Sequence, residues 1–372
     1  MLFIKSIEVK FVVYYGLIVF FVICNQLLSK SYIKNKILIY SLLFLMLCLT
    51  TLVIIVNPMA IDMTTYVSVF KISMTNTWLD SIMSVKWEPG FVTYQWLLSQ
   101  ITNSYIVFII ANVFIIFALI IIALKKVIPL ESIPIIMLGY LSFFYFYSFL
   151  RNIIRQGIAV QFVLLIIVYL YRNEYKKAIF TFPIALSFHI SSAVASILFV
   201  VKKIKLSIKT LLILYIFSAM LMISNMNKTF FLPLAKIIGG KLGSSIIRYS
   251  SEYQIERYGY INRIDFFIFT TFWIIYGLWF LKKYLNNDCF YKWLIKSYIS
   301  LSILYNMFGF IAFSDRLAAY SWSLVPILLM YPSTKTFLRY RIVFLIINII
   351  ISIILFFYFD VSSLYKILKV IY

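Results

Sequence analysis

Apolar residues run through this chain in long stretches that are separated by short polar loops. A helix needs roughly 20 apolar residues to cross a hydrocarbon layer about 30 Å thick. The pattern predicts an all-α polytopic integral membrane protein, a single transmembrane domain over residues 1–372. We predict about ten transmembrane helices, in chain order 11–28, 37–56, 103–124, 130–150, 153–171, 206–224, 263–281, 293–313, 317–331 and 342–359.

Residues 178–201 form a further apolar stretch, which we interpret as a re-entrant hairpin. Short loops rich in Lys and Arg stay in the cytoplasm. A full crossing here would place the lysine-rich residues 202–209 outside and invert every later loop. A hairpin that turns near residues 188–191 removes this conflict, provided that protein or a wet cavity surrounds it. Both termini are then predicted to lie outside.

This topology leaves two sizeable external (periplasmic) segments, residues 57–102 and residues 225–262. In the first segment, Asp62 and Tyr66 are four positions apart and would share a helix face. Glu88 precedes a proline, which is suited to open a helix. Both carboxylates are candidate functional groups, although ordinary loop positions and helix caps explain them as well.

Composition agrees with this class, since 64% of the residues are hydrophobic and 12% are charged. The formal charge of +22 lies mainly at helix ends, which indicates membrane topology and not nucleic-acid binding. Cys24, Cys48 and Cys289 lack the paired spacing of disulfides or metal sites. No nucleotide or metal motif is present, so we expect no cofactor and no metal. The first apolar run lacks a cleavage site, and we expect it to be retained as a helix.

Two arginines lie in an apolar stretch, where charge is expensive. Arg151 and Arg155 are four apart and would share a helix face, with Asn152 and Gln156 beside them. At the bilayer centre an arginine costs roughly 2.5–3.5 kcal/mol on insertion scales, so such residues are functional candidates by default. The alternative is that Arg151, at a helix end, extends to the headgroups.

His189 is the single histidine of the chain. A lone histidine in an apolar stretch is often a packing residue, but at a re-entrant turn its imidazole would face a wet cavity, near a neutral pKa. Asp315 and Arg316 lie in a very short external loop, and Tyr320 follows one turn later. A local ion pair between Asp315 and Arg316 explains the presence of these two charges nearly as well as a functional role does.

The second external segment combines arginines with tyrosines, among them Arg248, Tyr253 and Arg257. Guanidinium groups grip phosphate in bidentate fashion, and tyrosine faces stack on sugar rings. The alternative is an amphipathic helix at the membrane interface.

Taken in order, these motifs resemble the EpsG-like, Wzy-type polysaccharide polymerases, over roughly residues 57 to 330. The residues that carry the resemblance are Asp62, Tyr66, Glu88-Pro89-Gly90-Phe91, Arg151-Asn152-Ile153-Ile154-Arg155-Gln156, Ala159, Phe188-His189-Ile190-Ser191, Asp315-Arg316 and Tyr320. The resemblance implies a GT-C-like fold in the bacterial inner membrane. It also implies an enzyme that joins undecaprenyl-diphosphate-linked oligosaccharide repeat units into O-antigen, capsule or exopolysaccharide on the periplasmic face.

This function implies a role for each candidate residue. The attacking sugar hydroxyl needs a base, for which His189, Glu88 and Asp62 are candidates in that order. The diphosphate leaving group needs cations and polar contacts. These, with the sugar-binding residues, are expected from Arg151, Arg155, Gln156, Arg248, Tyr253, Arg257, Arg316 and Tyr320. The expected partners are the lipid-linked oligosaccharide and the bilayer, with a chain-length regulator as a further candidate.

Other classes of protein remain open from the sequence. A GT-C glycosyltransferase would add a single sugar from a polyprenyl-phosphate donor. A lipid-linked oligosaccharide flippase should line a deep cavity with charge in both leaflets, whereas the polar residues here collect on one side. A membrane acyltransferase is a weaker alternative, because more than one histidine is usually expected among its catalytic polar residues.

Overall fold

The computed structural model describes residues 15–20, 22, 36–56, 61–335 and 338–356. All regular secondary structure within these ranges is helical, which confirms the prediction of an all-α protein. Most of the predicted crossing 11–28 lies outside the described residues, as does the start of the first external segment.

The chain divides into two compact units. Unit 1 comprises Met1–Ile158 and Leu329–Tyr372, and unit 2 comprises Ala159–Leu328. The helices lying wholly in unit 1 are α1 (Lys36–Val56), α2 (Ile61–Ser73), α3 (Trp78–Ser84), α4 (Pro89–Ile101), α5 (Tyr105–Leu124), α6 (Ile133–Leu141) and α7 (Phe144–Arg151). The C-terminal helix of this unit, Leu338–Phe356, is the last one within the described residues.

Helix α8 (Ile154–Tyr171) contains the first boundary between the units. Unit 2 continues with α9 (Tyr175–Phe188), α10 (Ser196–Ile204), α11 (Ile208–Ile223), α12 (Met226–Ile238), α13 (Gly240–Tyr249), α14 (Glu252–Tyr258), α15 (Ile264–Lys283), α16 (Cys289–Phe308) and α17 (Asp315–Trp322). The second boundary lies in α18 (Val325–Lys335). The helix Leu338–Phe356 is therefore labelled α19.

Four described helices are long and apolar enough to cross a membrane, namely α1, α5, α8 and α15. Two bent helix pairs raise this number to six if each pair is one span. The structure thus supports a polytopic membrane protein, and the remaining predicted crossings and the GT-C-like fold stay predictions.

The predicted crossing 130–150 is not one straight helix, because α6 and α7 meet at an angle of 83°. The break follows Ser142, whose hydroxyl bonds the carbonyl oxygen of Leu138 and contacts the buried hydroxyl of Tyr15 at 2.5 Å. Serine hydroxyls that bond back to the preceding turn bend helices. The apolar composition of this stretch concealed the break.

Residues 175–204 reverse direction, as the sequence predicts. Helix α9 ends at Phe188, and the backbone of His189 is extended. The rings of Phe182 and Phe199, on opposite sides of the turn, lie 5.8 Å apart. At a rise of about 1.5 Å per residue, one continuous helix would place them roughly 25 Å apart. The hairpin therefore folds back on itself.

Helix α16 is an inner helix of unit 2, and most of its residues are buried. It contains Lys292 and Lys296 together with several serines, so it is not among the apolar spans, although the crossing predicted over 293–313 covers most of it. The predicted crossing 317–331 is likewise divided, here between α17 and α18.

An asparagine cluster holds the second bent pair, in which α11 and α12 meet at 101°. Asn225 stands at the bend in the left-handed conformation, with a φ of 58°, which asparagine tolerates better than most residues. The Asn262 amide donates to the side-chain oxygens of Asn225 (2.7 Å) and Asn227 (3.1 Å). The Asn227 amide donates to the carbonyl oxygen of Asn306 at 2.9 Å. These bonds satisfy buried amides and fix the bend.

A close helix contact determines the start of α8. A Cβ atom built on Gly157 would lie 2.7 Å from both the Cβ atom and the carbonyl oxygen of Phe149 in α7. Contact this close is possible only for glycine, so α7 and the first turn of α8 are locked together.

We predict that Gly157→Ala destabilises the protein by about 1–3 kcal/mol, because the added methyl group forces two helices apart. The measurement is the unfolding temperature of the detergent-purified protein. Gly16→Ala is the matched control, since no atom lies within 4 Å of the corresponding Cβ position. An unchanged unfolding temperature for Gly157→Ala would show that the close contact does not exist.

Candidate functional site

Arg151 and Arg155 do not share one helix face, contrary to the sequence interpretation. Helix α7 ends at Arg151, Asn152 forms its C-cap, and α8 begins only at Ile154. The amides of Asn152 and Ile153 both donate to the carbonyl oxygen of Ser148, at 2.9 and 2.8 Å. The i, i+4 relation assumes an unbroken helix, and this break separates the directions of Arg151 and Arg155.

Arg155 forms an ion pair with Glu88 within unit 1. Its Nη1 donates to Glu88 Oε2 at 2.5 Å, across 67 positions of the sequence. The Glu88 side chain is 6% exposed and that of Arg155 is 20% exposed. A buried charge is tolerated only when it is paired and hydrogen-bonded. Each of the two side chains can therefore be buried only because the other is present.

Aromatic side chains enclose this ion pair. The Arg155 guanidinium lies over the Trp87 ring, with 4.8 Å between the guanidinium carbon and the ring centroid. Trp87 in turn packs on Tyr66 at 5.2 Å and on Phe91 at 5.9 Å. Arginine on a tryptophan face is stabilised by the ring quadrupole, more strongly where water is excluded. The ring thus fixes the plane of the guanidinium.

The guanidinium retains unused hydrogen-bonding capacity. Arg155 Nε is buried and has no hydrogen-bond partner within the described ranges. An unsatisfied buried N–H costs free energy, about 1–3 kcal/mol. The side chain is therefore ready to donate to an additional acceptor while its Nη1 stays on Glu88.

Local sequence explains the position of Glu88. It forms the N-cap of α4, with Pro89 at the first helical position as the sequence predicts. The buried Gln95 amide donates to the carbonyl oxygen of Tyr66 at 3.1 Å and ties α4 to α2. These contacts hold the carboxylate and its aromatic neighbours in one rigid group, for which we use the name Arg155 cluster: Tyr66, Trp87, Glu88, Phe91 and Arg155.

The other site candidates of unit 1 are Asp62, Arg151 and Gln156. Asp62 is half-buried in the first turn of α2, one turn before Tyr66, as the spacing predicts. Arg151 is half-buried at the end of α7. Gln156 is buried beside Arg155 at the start of α8.

A second polar group surrounds His189 in unit 2. Nδ1 of His189 lies 2.7 Å from the Ser191 hydroxyl, which lies 2.8 Å from the hydroxyl of Tyr320. Tyr320 belongs to α17 and is fully buried, whereas His189 is half-buried at the hairpin turn. The structure brings together two predicted site residues and adds Ser191, which the sequence had placed at the turn and in the motif Phe188-His189-Ile190-Ser191 but not among the site residues. We call these three residues the His189 chain.

The backbone amide of Ser191 also donates to His189 Nδ1, at 3.3 Å. A hydroxyl can reverse its role, but an amide N–H can only donate, so this contact favours Nδ1 as the acceptor. The proton of a neutral imidazole is then on Nε2. In this arrangement Tyr320 donates to Ser191, and Ser191 donates to His189.

Phe313 connects the remaining candidates of unit 2. Its backbone is left-handed, with a φ of 59°, and its ring packs on Tyr258 at 4.9 Å and Tyr249 at 5.9 Å. The Arg316 guanidinium lies 4.7 Å from the Phe313 ring centroid. A strained backbone conformation is tolerated where the surrounding contacts hold it. Nothing in the sequence indicated this phenylalanine.

Asp315 accepts a hydrogen bond from the hydroxyl of Tyr258 at 3.0 Å. Burial, and then the Asp315 carboxylate, raises the pKa of Tyr258 above its usual value, so the phenol remains a donor at neutral pH. This bond joins α14 to α17.

The arginine- and tyrosine-rich segment is largely exposed. Arg248 lies over the ring of its neighbour Tyr249, with 4.8 Å between the guanidinium carbon and the centroid. Tyr253 and Arg257 are exposed on α14. Within the described ranges, no group of three His, Cys, Asp or Glu side chains is placed to hold a metal ion.

Several membrane-capable helices and buried charged groups define a polytopic helical membrane protein. The model of the EpsG family matches residues 41–369, nearly the whole chain. The chain therefore belongs to the EpsG family, a family of Wzy-like polymerases, which confirms the resemblance seen in the sequence. Comparisons with curated proteins and with solved structures returned no match.

Proposed function

We propose that this protein is a polysaccharide polymerase that joins oligosaccharide repeat units carried on undecaprenyl diphosphate, at the periplasmic face of the bacterial inner membrane. The product is an O-antigen, capsule or exopolysaccharide. Family membership supports the class of reaction. The observation that carries the proposal is the Arg155 cluster, which holds a cation with unused donors in an aromatic, largely buried setting.

The reaction forms one bond and breaks one. A sugar hydroxyl oxygen of the incoming unit bonds to the anomeric carbon of the growing chain. The bond from that carbon to the diphosphate oxygen breaks, and its electron pair stays on the diphosphate. The hydroxyl proton leaves to a base. Negative charge therefore grows on the leaving group, and fixed cations in a water-poor site stabilise it most effectively.

Arg155 is suited to this task by its geometry. Glu88 accepts from one end of the guanidinium, and the buried Nε–H, which has no acceptor within the described ranges, is proposed to donate to a phosphate oxygen of the bound substrate. Arginine presents its donors as a planar fork that matches phosphate. Glu88 already accepts a short hydrogen bond from the Arg155 guanidinium through Oε2. We assign to Glu88 the orientation of Arg155 and not proton transfer.

His189 is the remaining strong candidate for handling a proton. With Nδ1 as the acceptor, its Nε2–H donates to an anion or a glycosidic oxygen. The other tautomer, with the Ser191 hydroxyl reversed, accepts a proton at Nε2. That tautomer loses the contact from the Ser191 amide, so Ser191 and Tyr320 are proposed as positioning residues that favour the tautomer with the proton on Nε2.

The sugar chain or the diphosphate is proposed to contact Arg248, Tyr253 and Arg257 of the second external segment and Arg316 of α17. Gln156, next to Arg155, and Arg151, four positions before it, are proposed to contact the lipid headgroup. A chain-length regulator is a proposed partner. The alternative activity, transfer of a single sugar from a polyprenyl phosphate, would use the same cation chemistry and gives a different product.

We predict that Arg155→Lys abolishes most polymer although it keeps the charge, because an ammonium cannot bind Glu88 and phosphate as a planar fork. The measurement is a gel of surface polysaccharide from a gene-deletion strain complemented with each variant. The long ladder should fall at least ten-fold and leave core plus one repeat unit. Arg155→Ala is a poorer test, because it leaves Glu88 buried without its cation, at a cost of about 3–5 kcal/mol.

The same deletion strain separates the classes of function. Loss of even the single repeat unit would place the protein in assembly or flipping of the unit. A ladder that persists with every repeat lighter by one sugar would identify a single-sugar transferase. Either result contradicts the polymerase proposal.

We predict that Ser191→Ala lowers polymer yield by about ten-fold and His189→Ala by about 100-fold or more, as expected for the loss of a positioning group and of an acid–base group. The measurement is incorporation into long chains in the complemented strain, at equal protein level. Ser187→Ala is the matched control, because its hydroxyl bonds the carbonyl oxygen of Ile184 in the same hairpin. Equal effects of Ser187→Ala and Ser191→Ala would show that the His189 chain contributes only to packing and not to proton transfer.

A further inference from the structure

Three lysines of unit 2 lie close to one another, and one of them lies over a tryptophan ring. Lys202 Nζ, in the last turn of α10, lies 5.3 Å from the centroid of the Trp293 ring. Lys292 adjoins Trp293 in α16, and Lys296 follows one turn later on the same side of the helix. The indole Nε1 donates to the carbonyl oxygen of Ile167 at 2.9 Å, which fixes the ring. We call Lys202, Lys292, Trp293 and Lys296 the lysine cluster.

The charges of this cluster are not compensated. Lys202 and Lys292 are both close enough to Lys296 to act on it as like charges. Within the described ranges, none of the three lysines forms a salt bridge with a carboxylate. Lys202 and Lys296 are half-buried, so water screens them less than it screens a surface lysine. Repulsion of this kind is relieved by an anion.

Lysines at helix ends commonly serve only as topology signals. Lys203 has that character, because it is exposed and has no recorded contact with the tryptophan. Lys296 does not, since it lies about 10 Å along the axis from the start of α16 at 1.5 Å per residue. A half-buried lysine at that depth, beside two others, requires a further explanation.

We propose that the lysine cluster binds a phosphate group, and that the headgroup of an anionic phospholipid supplies it. Exposed apolar residues favour a lipid over a soluble anion: Val200 and Ile204 flank Lys202 on α10 and are 45% and 62% exposed. Tryptophan is enriched at the level of lipid headgroups. Basic pockets between membrane helices on the cytoplasmic side bind anionic headgroups.

The experiment is native mass spectrometry of the full, detergent-purified chain, titrated with phosphatidylglycerol or with phosphatidylcholine of the same acyl chains. The wild type should bind phosphatidylglycerol in preference to phosphatidylcholine. Each lysine near a membrane surface contributes about 1 kcal/mol, or roughly a five-fold change in affinity. The double variant Lys292→Gln/Lys296→Gln should therefore bind phosphatidylglycerol about 25-fold more weakly, with phosphatidylcholine binding unchanged.

Two variants control for general effects. Lys203→Gln removes a neighbouring positive charge outside the cluster and should change phosphatidylglycerol binding less than two-fold. Lys296→Arg keeps the charge and should bind within about two-fold of the wild type, whereas Lys296→Gln alone should lose about five-fold. If the double variant does not fold, this single pair decides the question.

Inorganic phosphate tests whether the cluster binds a soluble phosphate anion and not a lipid headgroup. A lysine-dependent stabilisation by millimolar phosphate, without selective binding of phosphatidylglycerol, would show a soluble-anion site and overturn the lipid assignment. Equal phosphatidylglycerol binding by the wild type and by both Lys296→Gln and the double variant would overturn the site itself. Neither result bears on polymerisation, which the polysaccharide ladder measures separately.

Discussion

The ion pair between Arg155 and Glu88 is the constraint around which unit 1 is organised. Two opposite charges come from positions 67 residues apart and are buried together among aromatic rings. Neither charge is tolerable there alone. The N-cap position of Glu88, the break before α8 and the close contact at Gly157 all serve to bring these two groups together. A structural ion pair needs only mutual satisfaction, but Arg155 keeps a buried donor that Glu88 does not use.

In unit 2, hydrogen bonds between neutral side chains, and not an ion pair, satisfy the buried polar groups. The hairpin ends its first helix at Phe188 and presents His189 at the turn, where Ser191 and the buried Tyr320 fix one ring nitrogen. Asparagine side chains hold the bend between α11 and α12. Buried polar networks that are satisfied make a unique structure, and their remaining donors become specific binding groups. Each unit thus presents one polar group that its own packing positions.

Much of this architecture is readable from the sequence, because it depends on local rules. Pro89 predicted the start of α4, the lysine pattern around residues 202–209 predicted the hairpin, and Asp62 and Tyr66 share a helix as their spacing requires. The helix boundary at Arg151 and Asn152 matches the gap between the predicted crossings 130–150 and 153–171, but the helix face predicted to be shared by Arg151 and Arg155 is wrong because this boundary separates them. The pairing of Glu88 with Arg155, and of Ser191 with Tyr320, depends on tertiary contacts between distant residues, which spacing along the chain does not report. Trp87 and Phe313 escaped for the same reason.

The most direct test of the central claim is to exchange the two charges, with Glu88→Arg and Arg155→Glu in one chain. Unfolding temperature and the surface polysaccharide ladder are measured for this variant and for Glu88→Arg alone. The account predicts that the exchange recovers much of the stability lost in the single variant, because opposite charges again face each other. It also predicts that the long ladder stays absent, because the cation now projects from the start of α4. A full ladder from the exchanged pair would contradict the account, since the pair would then serve structure alone.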